Sequence, residues 1–240
     1  MMMNRVFNDF TKLKGILLLI AFTTFAFALQ AQKLHVRGGV NLANVSVTDN
    51  GRVNESNQLT SFQLGLMTDI PLIKSVLSLQ PGVIYSGKGA KVQNGTEGQN
   101  AYFRQSFNPR YIEVPLNLKV MLPFAKESGL FLGAGPYGAV GIGGKVKTEG
   151  RLIGAEYNFE RNITFSDDDP TTFDEEEGTG LGIVRRFDYG VNAMAGFEIK
   201  QVVVTVNYGI GLTKLQSGTT SSEDNNNKHR LLSFTLGFKL

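Results

Sequence analysis

From about residue 34 to the last residue, apolar and polar positions alternate with period two in segments of about ten residues, and helical periodicity is absent. Eight such segments can be traced. Their apolar faces begin with Leu34, Val36, Val40 and Leu42, then Phe62, Leu64, Leu66 and Ile70, then Leu77, Leu79, Pro81, Val83 and Tyr85. The fourth carries Ile112, Val114, Leu116, Leu118, Val120 and Leu122. The fifth is weaker, with Leu130, Leu132, Ala134, Pro136, Val140 and Ile142 interrupted by Gly138. The sixth carries Tyr189, Val191, Ala193, Ala195, Phe197 and Ile199, and the seventh Val202, Val204, Val206, Tyr208, Ile210 and Leu212. The eighth carries Leu232, Phe234, Leu236, Phe238 and Leu240, opposite Leu231, Ser233, Thr235, Gly237 and Lys239. A tilted strand of about ten residues crosses an apolar membrane layer. A bare apolar edge strand invites aggregation in a soluble protein, but a barrel that closes its last strand onto its first has no edge. The pattern predicts an all-β fold: an eight-stranded antiparallel up-and-down transmembrane β-barrel.

The connections alternate in length. Asp69 to Ser75, Pro123 to Ser128 and Lys200-Gln201 are short, whereas Ser46 to Leu59, Gln93 to Pro109, Lys145 to Arg185 and Lys214 to Asn226 are long. Short turns at one end and long loops at the other are the outer-membrane pattern, with both termini periplasmic. A secreted lipocalin-like barrel would alternate too, with its apolar face inside, so the other face decides. In the seventh segment that face is Val203, Thr205, Asn207, Gly209, Gly211 and Thr213; in the fifth it is Phe131, Gly133, Gly135, Tyr137, Ala139 and Gly141. Small and polar residues suit a cramped interior, and a water-facing exterior would carry more charge than the 19% found here against about 25% in soluble domains. Phe62, Tyr85 and Tyr189 at one level, with Phe197 and Phe238 at the other, are expected as aromatic girdles.

At the N-terminus, Arg5, Lys12 and Lys14 precede an apolar run from Gly15 to Leu29, followed by Leu29-Gln30-Ala31. This reads as a secretory signal peptide over residues 1 to 31, leaving a barrel domain over residues 32 to 240. The run is too short for a spanning helix of roughly 20 residues. Cleavage would remove three basic residues and Asp9, taking the net charge from +3 to +1. The sequence shows no basic patch for nucleic acid. The chain has no cysteine, so an exported protein of this kind must be braced by something other than disulfides.

The inward faces carry charges. If each hairpin is symmetric about its loop, Arg37 lies opposite Asp69 and Lys88 opposite Glu113, so two interior ion pairs are expected. Lys119 and Glu198 need partners as well. An eight-stranded barrel is filled by its own side chains or holds one small ligand, which argues against a diffusive porin. The inward glycines of the fifth segment either leave a pocket or make room for large residues opposite.

Three motifs bear on possible chemistry. Gly133-Ala-Gly135-Pro-Tyr-Gly138 matches a dinucleotide fingerprint, but another strand pattern follows where a helix is required. Gly144-Lys145 is no phosphate loop, because Ala139 and Val146 stand at the required Gly and Ser/Thr positions. His229, expected as a solvated rim histidine, could serve a rim enzyme only with Ser221, Ser222 or Ser166, and no spacing singles out a triad. The segment Lys145 to Arg185 also contains Asp167, Asp168, Asp169, Asp174, Glu175, Glu176 and Glu177. That run is a weak candidate for a hard divalent cation, without EF-hand spacing. No cofactor is expected.

GGVNLAN (38 to 44), LSLQPGVIYSGKGAK (77 to 91), YIEVPLNLKV (111 to 120), GLFLGAGPYGAV (129 to 140), DYGVNAMAGFEI (188 to 199) and SFTLGFKL (233 to 240) resemble the PorT-type outer-membrane β-barrel, or "porin family", proteins of Gram-negative bacteria. The resemblance implies insertion by the outer-membrane assembly machinery, which reads the C-terminal strand; here Leu240 replaces the commoner final aromatic. It transfers no catalytic or binding residue. One branch of the family serves a protein-secretion system. The functional expectation is a non-enzymatic barrel in outer-membrane lipid, whose long extracellular loops bind a partner protein or surface glycan. The alternatives are an accessory subunit of a secretion complex, a small-solute channel and a lipid-modifying rim enzyme.

Overall fold

The computed structural model describes residues 33–46, 58–74, 76–97, 101–153, 155–166, 183–215 and 228–240. The expected signal peptide and the acidic run from Asp167 to Glu177 lie outside the described residues.

Among the described residues twelve strands follow in chain order: β1 (Lys33–Ser46), β2 (Leu59–Ile73), β3 (Leu77–Gly87), β4 (Ala90–Asn94), β5 (Ala101–Ala125), β6 (Ser128–Leu152), β7 (Ala155–Asn162), β8 (Thr164–Phe165), β9 (Ile183–Val184), β10 (Phe187–Ile199), β11 (Val202–Gly211) and β12 (Lys228–Lys239). Eight of them close a ring in the order β1-β2-β3-β5-β6-β10-β11-β12, and β12 returns to β1 over the register His35↔Lys239 to Ser46↔Lys228. Closure satisfies the backbone groups that an open sheet would leave at two edges.

The ring is inside out relative to a soluble barrel. Outward positions such as Leu64, Leu66, Val114, Leu118, Leu132, Val191, Phe234 and Leu236 are exposed, whereas Asn41, Gln80, Lys88, Glu113, Asn117, Lys119, Asp188, Asn192 and Glu198 are buried inside. The expected girdle residues Phe62, Tyr189, Phe197 and Phe238 are exposed on the outer face, and Tyr85 packs on Phe62 with ring centroids 5.6 Å apart. At the short-turn end, Lys126-Glu127 joins β5 to β6 and Lys200-Gln201 joins β10 to β11. Glu127 (φ 59°) and Lys200 (φ 53°) supply the left-handed backbone that such tight hairpins use.

At the other end the expectation of plain loops over 93–109 and 145–185 is corrected for the described residues of those ranges. Strands β5 and β6 each run for 25 residues and stay paired from Ala125↔Ser128 to Ala101↔Leu152. At roughly 3.3 Å per residue this far exceeds the layer a barrel strand must cross. Their outer ends are flanked by β4 on β5 and by β7 on β6, giving a four-stranded blade. A bulge at Arg110/Tyr111, where Ile142 is the extra residue, marks the passage from ring to blade. The sequence signal is faint there because one face of the blade is charged and the apolar alternation gives way to polar residues.

Candidate functional site

Strand β6 organises the interior because four of its inward positions, Gly133, Gly135, Ala139 and Gly141, are small. Ala139 pairs with Glu113 on β5 and with Asp188 on β10, while Gly133 pairs with Lys119 and Met194. Long side chains from both neighbours converge over these positions. The glycines therefore make room for their neighbours: a Cβ on Gly133 would lie 2.5 Å from Met194 Cε, and one on Gly141 2.2 Å from the Phe165 ring.

Toward the long-loop end, Lys88 Nζ lies 2.8 Å from Glu113 Oε2 and 3.0 Å from Asp188 Oδ2. Its backbone does not face Glu113, which pairs with Ile84, so the side chain reaches back down the barrel. Tyr137 donates its hydroxyl to Asp188 at 3.0 Å, and Asn192 Nδ2 donates to Glu113 at 3.3 Å. The ammonium sits 4.1 Å above the Tyr137 ring centroid.

The Arg37–Asp69 expectation is corrected. Asp69 Oδ2 lies 2.7 Å from Lys119 Nζ, its other oxygen accepts from Gln80 at 2.7 Å, and among the described residues Arg37 makes no ion pair within 4.0 Å. The first hairpin is not symmetric: Asn41 donates to Phe62 O at 3.3 Å, and a Cβ on Gly38 would lie 3.7 Å from Gln63 O. Arg37 is therefore beside the middle of β2, several residues above Asp69. Lys119 also pairs with Glu198, and Lys239 with the same carboxylate. His35 Nε2 is 3.9 Å from Asp69.

Among the described residues, four cationic side chains (Arg37, Lys88, Lys119, Lys239) and four carboxylates (Asp69, Glu113, Asp188, Glu198) thus balance one another in the interior. Asp188 and Lys239 are the members that sequence reasoning missed. Both sit on the inward parity of strands whose outward faces were assigned, so alternation alone could have flagged them. Tyr111 and Tyr137, read as strand residues, are the aromatic walls of the upper network.

His229 is corrected from a solvated rim residue to a buried one. It is 3% exposed and stacks edge-on against Tyr111 with centroids 5.5 Å apart. Among the described residues neither ring nitrogen has a hydrogen-bond partner, so no described hydroxyl, Ser166 included, is placed for it to activate. Ser221 and Ser222 lie outside the described residues. Among the described residues no group of three or more His, Asp or Glu side chains could hold a metal.

Above the upper network an apolar cluster crosses the mouth: Val45, Phe107, Val146, Ile163, Val184 and Leu215, with Phe165 packed against it. Strands β8 and β9 pair in parallel and bring Phe165 onto Tyr111 at 5.8 Å. The Ile163 and Gly141 amides donate to Gly144 O at 3.0 Å and Arg186 O at 2.7 Å, tying this segment to β6.

On the blade the cross-strand rows Val92-Gln105-Thr148-Phe159 and Asn94-Phe103-Gly150-Tyr157 form one face, and Lys91-Ser106-Lys147-Glu160 and Gln93-Arg104-Glu149-Asn158 the other. Phe159 is 67% exposed and Val92 44%. Lys145 pairs with Glu160 and Arg151 with Glu156 at exposed positions, where such pairs add little stability. A cleft of about 450 Å³ lies between Tyr102, Glu149, Arg151, Glu156 and Tyr157.

Residues 30–217 match the family model described as the outer membrane protein beta-barrel domain. The chain belongs to this family. Its outward apolar band is accordingly the surface an outer-membrane barrel gives to lipid. No curated protein matches the chain. Among solved structures it is similar to Ail, the attachment invasion locus protein of Yersinia pestis, solved with the heparin analogue sucrose octasulfate. That match has 10% identity and a TM-score of 0.40, and covers 87% of this chain and 99% of that one. It is also similar to Neisserial surface protein A (12% identity, TM-score 0.38, 86% and 97% covered). A third is the N-terminal β-barrel domain of Pseudomonas aeruginosa OprF (7% identity, TM-score 0.32, 87% and 99% covered).

Proposed function

We propose that this outer-membrane barrel is a closed, non-enzymatic support that holds the β4-β5-β6-β7 blade outside the cell as a protein- or glycan-binding surface. The observation that carries this reading is the contrast between its two halves. The ring is filled at successive heights by the Lys119 network, by Phe131, Met194 and Val203, by the Lys88 network and by the apolar mouth. Beyond it, β5 and β6 continue as a paired sheet with exposed apolar residues and one partner strand each for β4 and β7 among the described residues. A filled lumen serves no solute, whereas an extended sheet with open edges and exposed Phe159 and Val92 suits recognition by strand addition or by side-chain contact.

Short turns at one end and the blade at the other support periplasmic termini. The chain lacks cysteine, so single-cysteine variants report orientation without background: Glu97→Cys should be labelled from outside intact cells and Lys126→Cys should not, and the reverse would invert the topology. The purified protein in planar bilayers should show no steady single-channel current, and a reproducible open level would overturn the closed lumen.

The decisive experiment is a crosslinking capture from the native outer membrane, with the full chain and a form whose blade is trimmed. Asn-Gly would replace residues 92–105 between the cross-strand pair Lys91↔Ser106, and residues 148–159 between Lys147↔Glu160. A stoichiometric partner lost on trimming is expected. A partner kept by both forms, or captured by neither, would remove the blade from this role. Capture of several envelope proteins as one stable assembly would favour the secretion-accessory reading.

A further inference from the structure

The outward faces change character at one level. Going toward the long-loop end, the last outward apolar residue is Ile112 on β5, Ile142 on β6, Ile210 and then Leu212 after β11, and Leu232 on β12. The next outward side chain on each strand path is basic: Arg110, Lys145 (past the outward Gly143, which pairs with Arg110), Lys214 and Arg230 respectively. On β10, Arg185 stands two residues before the exposed Phe187, and its amide donates to Leu215 O at 2.9 Å, beside Lys214. The corresponding positions on β1, β2 and β3 are Asn44, Thr60 and Gly87.

Because β5, β6, β10, β11 and β12 are consecutive in the ring, the basic residues form one continuous arc over half the circumference. Arg110 and Lys145 are diagonal neighbours, since Arg110 pairs with Gly143 and Lys145 with Asn108. Among the described residues, the carboxylate that pairs with a member of the arc is Glu160, on Lys145. Arg230 spends one guanidinium nitrogen on Gly211 O and His229 O, at 3.1 and 3.0 Å, which fixes its position.

Cations placed directly above a lipid-facing band lie at headgroup depth, where they attract anionic lipid. We infer that Arg110, Lys145, Lys214 and Arg230 form a one-sided binding arc for phosphate-bearing lipid headgroups of the leaflet at the blade end. The ligand belongs to the membrane because the arc borders the apolar band and curves with it. A lipid's acyl chains lie on the outward residues beneath while its phosphates meet the arc. The bare β1–β3 side leaves the barrel with two unlike lipid-facing flanks.

The test uses native mass spectrometry of the full-length folded protein in detergent, titrated with bis-phosphorylated lipid A and, separately, with lipid A stripped of both phosphates. The wild type should favour the phosphorylated form by at least about tenfold. Arg110→Gln/Lys145→Gln/Lys214→Gln/Arg230→Gln should abolish that preference, whereas Lys74→Gln/Lys126→Gln/Lys200→Gln at the opposite end should keep it. Equal retention of both lipids by the wild type, or an unchanged preference in the quadruple variant, would overturn the arc. Displacement of the lipid by millimolar inorganic phosphate would reduce it to a free-phosphate site and overturn the lipid assignment. If the quadruple variant does not fold, Arg110→Gln/Lys145→Gln and Lys214→Gln/Arg230→Gln are read separately. Each should lose part of the preference, and no loss in either pair counts against the arc.

Discussion

Replacing Lys88 by methionine should lower the unfolding free energy of the barrel by about 3–5 kcal/mol. The side chain is 2% exposed and is the ammonium shared by Glu113 at 2.8 Å and Asp188 at 3.0 Å. Those carboxylates flank Ala139 on the strands either side of β6, so removing the cation leaves two like charges close together inside a narrow wall. Asn192 and the Tyr137 hydroxyl still donate to them, but neutral donors do not offset an uncompensated buried charge. Adding Glu113→Gln and Asp188→Asn to Lys88→Met should recover most of the loss, because the remaining groups are then polar and uncharged. Urea unfolding in lipid vesicles, followed by the mobility difference between folded and unfolded barrel on unboiled gels, measures both. If the single variant unfolds within about 1 kcal/mol of the wild type, or the triple variant is no better than the single, the network is not what holds this level together.

The second large effect separates two glycines of one strand. Gly135 faces inward, and a Cβ there would lie 2.1 Å from Leu116 O and 2.7 Å from Asn117 Cα, which are backbone atoms that cannot swing away. Gly135→Val should force β5 and β6 apart at mid-height and cost about 3 kcal/mol or more, seen as failure to reach the folded gel form. Gly138 faces outward with nothing within 4 Å. Gly138→Val should be tolerated and should add about 0.5–1 kcal/mol, since a mid-strand glycine carries that entropic penalty. Two variants of equal stability would mean that the interior of β6 is looser than its packing indicates.

The ring was legible because alternation on a lipid-facing barrel is written in strongly apolar letters. Leu130, Leu132 and Val140 point out and Phe131, Tyr137 and Ala139 point in, as the period requires. The blade was not, because outside lipid neither face need be apolar: AYFRQSFNP and KVKTEGRL mix aromatic, charged and small residues without a dominant face. The Lys88–Glu113 contact was anticipated from hairpin symmetry, yet the register differs by four residues and the length of the lysine bridges it. Arg37 and Asp69 show the limit of that reasoning, since strand register depends on loop conformation that alternation does not encode. The burial of His229 had a readable signal in its parity with Leu231 and Ser233, both inward.

The seam between β1 and β12 joins residues 182 to 204 positions apart, from Ser46↔Lys228 to His35↔Lys239. Such a seam must be the most expensive contact in chain entropy and can close only after the intervening strands have shortened the effective loop. Until then every intermediate carries two open edges beside an apolar face. This protein therefore has no safe half-folded form in water. Its route to the membrane is expected to depend on keeping β1 and β12 apart from other chains until each can find the other, so late closure of the seam also prolongs exposure to aggregation.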